Sequence, residues 1–305
     1  MTGMHLGVAL AFASALTFVG QNFWLRELQA REGIWRYAFL INVVPALGGA
    51  LIWVVWPPDF SRALFIGSLY AAAPAILGML SLGLAVYRGD ISHVGPVIGA
   101  KPLIVTALAA ALGMETTTRE FWAASGLLLV ALFLVSGNRE VLSRPWRVAE
   151  PAVLLAIGFC VFYGLCDLIT RRQMADHGLD PMDFIIMNWI VRSGLTGAAL
   201  AIRCFCRRER FLPARVSTAL WTLPATLLHG FAFTGSLKFT NSAILTNVLV
   251  SVRGLLAIFA VVLLARWGLV RKEPMTRAVL RARIAGALLI CLAVWLGLRA
   301  GLRGG

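Results

Sequence analysis

The amino-acid sequence predicts an all-α integral membrane protein, with ten transmembrane helices built as two inverted five-helix repeats around a central cavity. Three observations lead there. The 305 residues are 59% hydrophobic and 14% charged, with a mean hydropathy of +0.82, more apolar surface than a water-soluble core of this length needs to bury. Ten apolar stretches of roughly 20 residues, the length that spans a hydrocarbon core, are separated by short polar clusters. The second half of the chain repeats the special residues of the first in order.

The elements follow in sequence. A first span over 6–25 closes at the Arg26, Arg31 and Arg36 cluster, and a second over 34–56 stops at Pro57-Pro58. The third, 63–87, ends at Gly89-Asp90; the fourth, 91–112, at Gly113; and the fifth, 120–137, before Arg139, Arg144 and Arg147. The sixth covers 151–171 and ends on Arg171-Arg172, while Asp180-Pro181 opens the seventh, 182–203. An Arg-rich connection from Arg203 to Arg215 leads to the eighth, 217–238. The ninth, 242–265, and the tenth, 279–298, complete the set. The first stretch has no basic n-region and no small-residue cleavage pattern, so it reads as a retained span.

Sliding one half over the other aligns Arg26 with Arg172, Asn42 with Asn188 and Gly48 with Gly194 at an offset of 146. At 152, Gly78 meets Gly230, Gly83 meets Gly235 and Lys101 meets Arg253; at 160, Gly126 meets Gly286 and Gly137 meets Gly297. The offset grows as loop insertions in the second copy would make it grow. The first repeat is therefore 1–140 and the second 141–305. Five spans per copy is an odd number, so the second copy enters the membrane upside down, the plan of many secondary transporters whose site lies between the repeats at the midplane. Loops after odd-numbered spans hold 18 Lys and Arg against 7 on the other side. The positive-inside rule then puts those loops in the cytoplasm and both termini outside.

Charge and composition exclude other classes. The net charge of +14 lies in loops rather than in a separate basic domain, where it sets orientation and meets anionic lipid headgroups, so no nucleic-acid partner is expected. Five cysteines, odd in number and mostly inside spans, predict neither a disulfide framework nor a metal site. No catalytic constellation, Gly-rich phosphate loop or cofactor motif is present, so the chain reads as no enzyme and as needing no cofactor.

An ionisable group at the centre of a span costs about 2.5–3.5 kcal/mol on insertion scales, so each one needs a partner or a wet cavity. Lys101, Arg192 and Arg253 are three such cations and Asp167 is the one clear acid, leaving about two positive charges uncompensated. Those cations, with the repeat-related Asn42 and Asn188 and with Tyr70, are the candidate substrate-binding residues. Tyr70, Tyr163, Trp189 and Trp221 are the candidates for an aromatic cavity wall, with interfacial anchoring or simple packing as the competing reading for each. Asp167, His229 and His93 are the candidates for proton coupling. Around Lys101, Gly95, Pro96, Gly99 and Pro102 can interrupt the helix ladder and act as a break or gate. The competing readings are a kinked helix with a Gly95–Gly99 packing face, cations that bond helix carbonyls, and an Asp167–Arg192 pair.

The stretch from Tyr87 through Val135 runs from a short polar break through a Gly- and Pro-rich span to the turn Gly113-Met114-Glu115. A span opening around Trp122 and Gly126 follows. The same order returns from Phe239 through Leu296, and Gly20-Gln21-Asn22-Phe23 is similar to a family Gly-Ser-Asn-Phe phrase. In these features the chain resembles the drug/metabolite transporter superfamily, in its ten-helix form with two EamA-type repeats. The resemblance implies alternating access and a solute among amino acids, drugs, other metabolites, sugar phosphates or nucleotide sugars. In phosphate-exchanging relatives, basic residues on the fourth and ninth helices are used, and Lys101 and Arg253 match them.

The expectation is a multi-pass secondary transporter in a cell membrane, with the Arg/Ala/Leu-rich, short-looped chain suggesting the bacterial inner membrane. Its partners would be a small solute bearing a carboxylate or phosphate, membrane lipids, and a coupled proton or counter-solute. The alternatives are an exporter of neutral or aromatic amino acids or drugs and, from another class, a non-transporting assembly or sensor protein.

Overall fold

Every described element of the computed structural model is an α-helix; the described residues are 2–88, 97–136, 151–208, 216–256 and 277–304. α1 (Thr2–Val55) comprises two arms that meet at Gly33, whose φ of 71° and ψ of 169° leave the helical region. A side chain is disfavoured at that φ, so glycine is the residue suited to the joint. The Arg26 to Arg31 backbone, expected in a connection, is helical and extends the first arm. α2 (Arg62–Arg88), α3 (Lys101–Leu112), α4 (Arg119–Ser136), α5 (Pro151–His177) and α6 (Pro181–Arg207) follow in order. α7 (Val216–Thr240), α8 (Ala243–Val250) and α9 (Arg277–Gly304) complete the described elements. Each of the ten apolar stretches read from the sequence overlaps one of these helices or arms.

Five described segments are long and apolar enough to cross a membrane: Glu32–Val55, Arg62–Ala85, Pro151–His177, Pro181–Arg207 and Arg281–Leu302. Shorter apolar helices cover Gly3–Val19, Lys101–Leu112 and Ala243–Leu256. Large apolar side chains such as Leu47, Leu51, Val54, Leu228 and Leu288 point outward on these rods. An exterior of that kind suits lipid and not water, so the fold is compatible with a membrane protein.

Met4, Glu115, Arg171, Ser242 and Gly301 line one small cavity of about 160 Å³. The start of α1, the α3–α4 turn, the end of α5, the α7–α8 turn and the end of α9 thus share one end of the bundle. Lateral packing is led by α1 on α7, α2 on α5 and α4 on α9. Glycines let these helices approach: Gly7 lies against Thr240 and Gly235 against Leu10, while Gly67 faces Gln173 and Gly78 faces Tyr163.

Two helix breaks shape the interior. Residues 97–98 are helical, 99–100 form a turn, and Lys101 starts α3; likewise α8 ends at Val250, 251–252 form a turn, and Arg253 starts the next helical turn. Pro102 has no N–H for the Ile98 carbonyl four residues back. The Cys160 thiol covers that region instead, 3.5 Å from Val97 O and 3.7 Å from Ile98 O. At the second break the ladder tightens to a three-residue step, with Val252 N donating to Leu249 O at 3.2 Å and Gly254 N to Ser251 O at 3.1 Å.

Candidate functional site

The helix breaks present their cations to a cavity of about 200 Å³ in the middle of the bundle. Lys101, Arg253, Arg192, Asn42, Asn188, Asp167 and His229 all line it. Residues as far apart in the chain as Phe18 and Arg253, 235 positions, thus converge on one space. Phe18, Tyr37, Tyr163, Trp189 and Phe233 add an aromatic wall.

Lys101 is buried, and its Nζ lies 2.7 Å from Asp167 Oδ2. Asn247 Nδ2 donates to the same oxygen at 2.8 Å and to Ala243 O at 2.9 Å, which fixes the carboxylate from the α8 side. The ammonium also lies 5.6 Å from the Tyr163 ring centre and 5.5 Å from that of Phe233, so it is held by one full charge and two π faces. The alternative Asp167–Arg192 pair is not formed; the acid serves Lys101.

Arg192 lies on α6 with its side chain in the same cavity. The Tyr163 hydroxyl lies against its guanidinium, but its buried Nε has no hydrogen-bond partner. Arg253 is half-buried, with Cζ 4.5 Å from the centre of the Phe18 ring. Lys101, Arg192 and Arg253 against Asp167 leave the cavity two positive charges in excess, counted over its lining residues with His229 neutral. Unpaired buried charge is costly, so the arrangement favours an anion in the space.

His229 joins α7 to the first arm of α1. Its Nδ1 lies 2.9 Å from the Ser14 hydroxyl and 3.1 Å from the Ser14 carbonyl, between the rings of Phe18 and Phe233. With its proton on Nδ1, the ring donates to that carbonyl and keeps Nε2 as an acceptor.

Tyr70 is placed elsewhere: it is 59% exposed and does not line the cavity. On the same helix Met79 does, and nine residues are two and a half helical turns, which puts Tyr70 on the opposite face. Gly99 lies in the turn before Lys101, and Pro102 is in the first turn of α3. His93, Gly95 and Pro96 lie outside the described residues.

Two contributors escaped the reading of the sequence. Asn247 was legible only as a lone amide in an otherwise apolar half-helix, next to Thr246. Glu115, noted for its turn, caps α8: it accepts from Ala243 N at 2.6 Å, Ile244 N at 3.4 Å and the Ser242 hydroxyl at 2.9 Å. A carboxylate there offsets the positive end of the helix that carries Asn247.

No protein-family model matches this sequence, and no curated protein does. A solved crystal structure, described only as that of a protein, superposes with a TM-score of 0.67 over 98% of this chain and 98% of its own, at 13% identity. At that identity the likeness speaks for the fold alone.

Proposed function

We propose that this chain is a secondary membrane transporter that moves a small metabolite bearing a carboxylate or phosphate by alternating access. The observation that carries the reading is the cavity's excess of two cations, with its one acid already engaged by Lys101. Arg253 and Arg192 are then the groups left to meet the anion, and Lys101 is held in reserve by Asp167. In this reading Asp167 and His229 are the groups that couple a proton or a counter-solute.

The two-repeat organisation, 1–140 and 141–305, belongs to the same proposal. Lys101 and Arg253 each begin a helical turn directly after a two-residue break, at matching positions 152 residues apart. The pairing of the first arm of α1 with α7 and of α2 with α5 supports the same reading. Membership of the drug/metabolite transporter superfamily and a place in a bacterial inner membrane remain part of this proposal, resting on the resemblance described above. An amino-acid exporter fits the same cations, because a zwitterion also offers a carboxylate.

Purified protein in liposomes, loaded with a panel of labelled metabolites, tests the reading by counterflow. Arg253→Ala and Arg192→Ala should abolish the flux of whichever anion is carried while the protein still inserts. Undiminished flux in both variants would remove the site assignment.

A further inference from the structure

The cations account for one pole of a solute, and a second pole faces the same space. Asn42 and Asn188 both line the cavity while only 1% and 3% exposed. Their amide orientation follows from their partners. Asn42 Nδ2 donates to Ala38 O at 2.7 Å and approaches Met79 Sδ at 3.6 Å, and Asn188 Nδ2 donates to Ser68 O at 3.0 Å. A backbone carbonyl can only accept, so the nitrogen of each amide must be the atom turned to the protein. Each Oδ1 is then left as an acceptor.

Asn188 and Arg192 stand four residues apart on α6 and so share one face. Arg192 presents an Nε–H with no partner, and Asn188, one turn away, has its amide nitrogen turned to Ser68 O, which leaves its Oδ1 directed away from that contact. Donors and acceptors thus lie at separate positions along one wall, with the apolar faces of Trp189, Phe184 and Phe233 around them. A cavity of about 150 Å³ holds a benzene ring, so the 200 Å³ here takes a body of about one ring with small substituents.

We infer that the amide oxygens of Asn42 and Asn188 read a hydrogen-bond donor, so that the preferred solute carries a hydroxyl or amine about one helical turn from its anionic group. This rests on the anion-transport reading above and adds the residues that set specificity within it. An anion of the same size without that donor leaves both acceptors unmet, and a buried acceptor without a partner is the stronger source of discrimination.

The test uses the purified full chain in detergent and calorimetric titration with benzoate, 4-hydroxybenzoate and 4-methoxybenzoate. The last two carry oxygen at the same ring position and differ in the O–H donor and in one methyl group. The preference for 4-hydroxybenzoate over the smaller benzoate, which should also fall in both Asn variants, therefore separates loss of the acceptor from room made for the methyl. The expected result is 4-hydroxybenzoate binding about three- to tenfold more tightly than 4-methoxybenzoate, with that ratio falling towards one in Asn188→Ala and in Asn42→Ala. Because the readout is a ratio within each variant, a general loss of affinity does not imitate it. Equal binding of the three anions, still weakened by Arg253→Ala, would overturn the donor-reading pole and leave the anion site standing. A ratio that survives both Asn variants would also overturn it. If none of the three binds, the anion site and this inference fall together.

Discussion

Lys101 and Asp167, 66 positions apart in the chain, meet at 2.7 Å in the middle of the bundle, and Asn247 from a third helix donates to the same carboxylate oxygen. The pair joins α3, α5 and α8, so it is a structural tie as well as a charge balance. Breaking a buried pair by deleting one member leaves the other ion uncompensated, whereas deleting both does not. Asp167→Asn should therefore lower unfolding stability by about 3–5 kcal/mol. The double variant Lys101→Met/Asp167→Leu should recover most of that loss in thermal unfolding of the detergent-solubilised protein. A double variant as unstable as the single would mean the pair is not the source of the effect.

Gly78 and Gly230, matched at an offset of 152, each receive an aromatic ring from a neighbouring helix. A Cβ on Gly78 would stand 2.5 Å from Tyr163 Cδ2 and 3.2 Å from the Tyr163 backbone nitrogen. A Cβ on Gly230 would collide with the Trp189 ring. Since both rings line the cavity, alanine at either glycine should push aromatic bulk into it and destabilise the protein by about 1–3 kcal/mol. A melting temperature unchanged in both variants would show that these helices have slack to give.

Glu115 holds the N-terminus of α8 through two backbone amides and the Ser242 hydroxyl, with Arg171 Nε 3.8 Å from its carboxylate. Removal of a capping carboxylate of this kind costs about 1–2 kcal/mol. Glu115→Ala should show that loss in thermal unfolding and Glu115→Gln a smaller one, because a glutamine oxygen still accepts from the amides. Equal and negligible losses would mean that water replaces the cap at no cost.

Cys206 is exposed at the end of α6, beside the Arg203, Arg207 and Arg208 cluster. If positive charge marks the cytoplasmic side, a membrane-impermeant maleimide should modify Cys206 in inverted vesicles and leave it unmodified in right-side-out ones. Cys291, also exposed but within the apolar α9, should stay unlabelled by that reagent from either side. Labelling of Cys206 only from outside would reverse the topology.

Hydropathy alone located the rods, because a span must be apolar along some twenty residues whatever it packs against. The joint between the first two arms falls at Gly33, the last residue of the expected connection, but Arg26 to Arg31, which looked like a loop by charge, are helical and lengthen the first arm. Charge also carried much of the site: Lys101, Arg192, Arg253 and Asp167 stood out because an ion in an apolar span is expensive. Asn42 and Asn188 emerged through the repeat, and both reach the cavity. Tyr70 did not, because the face of a helix that is apolar all round cannot be read from periodicity.

What the chain determines by itself is therefore composition along a line: where apolar stretches begin and end, and which positions bear ions too costly to leave alone. The three-dimensional packing decided the pairings. Asp167 could have balanced Arg192, 25 positions along the chain on the next helix, or Lys101 from the other half, and sequence energetics favour neither, because the Coulomb term depends on distances that only helix packing sets. With α5 lying between α2, α3 and α8, the carboxylate falls beside Lys101 and Asn247, and Arg192 and Arg253 keep their charge for the cavity.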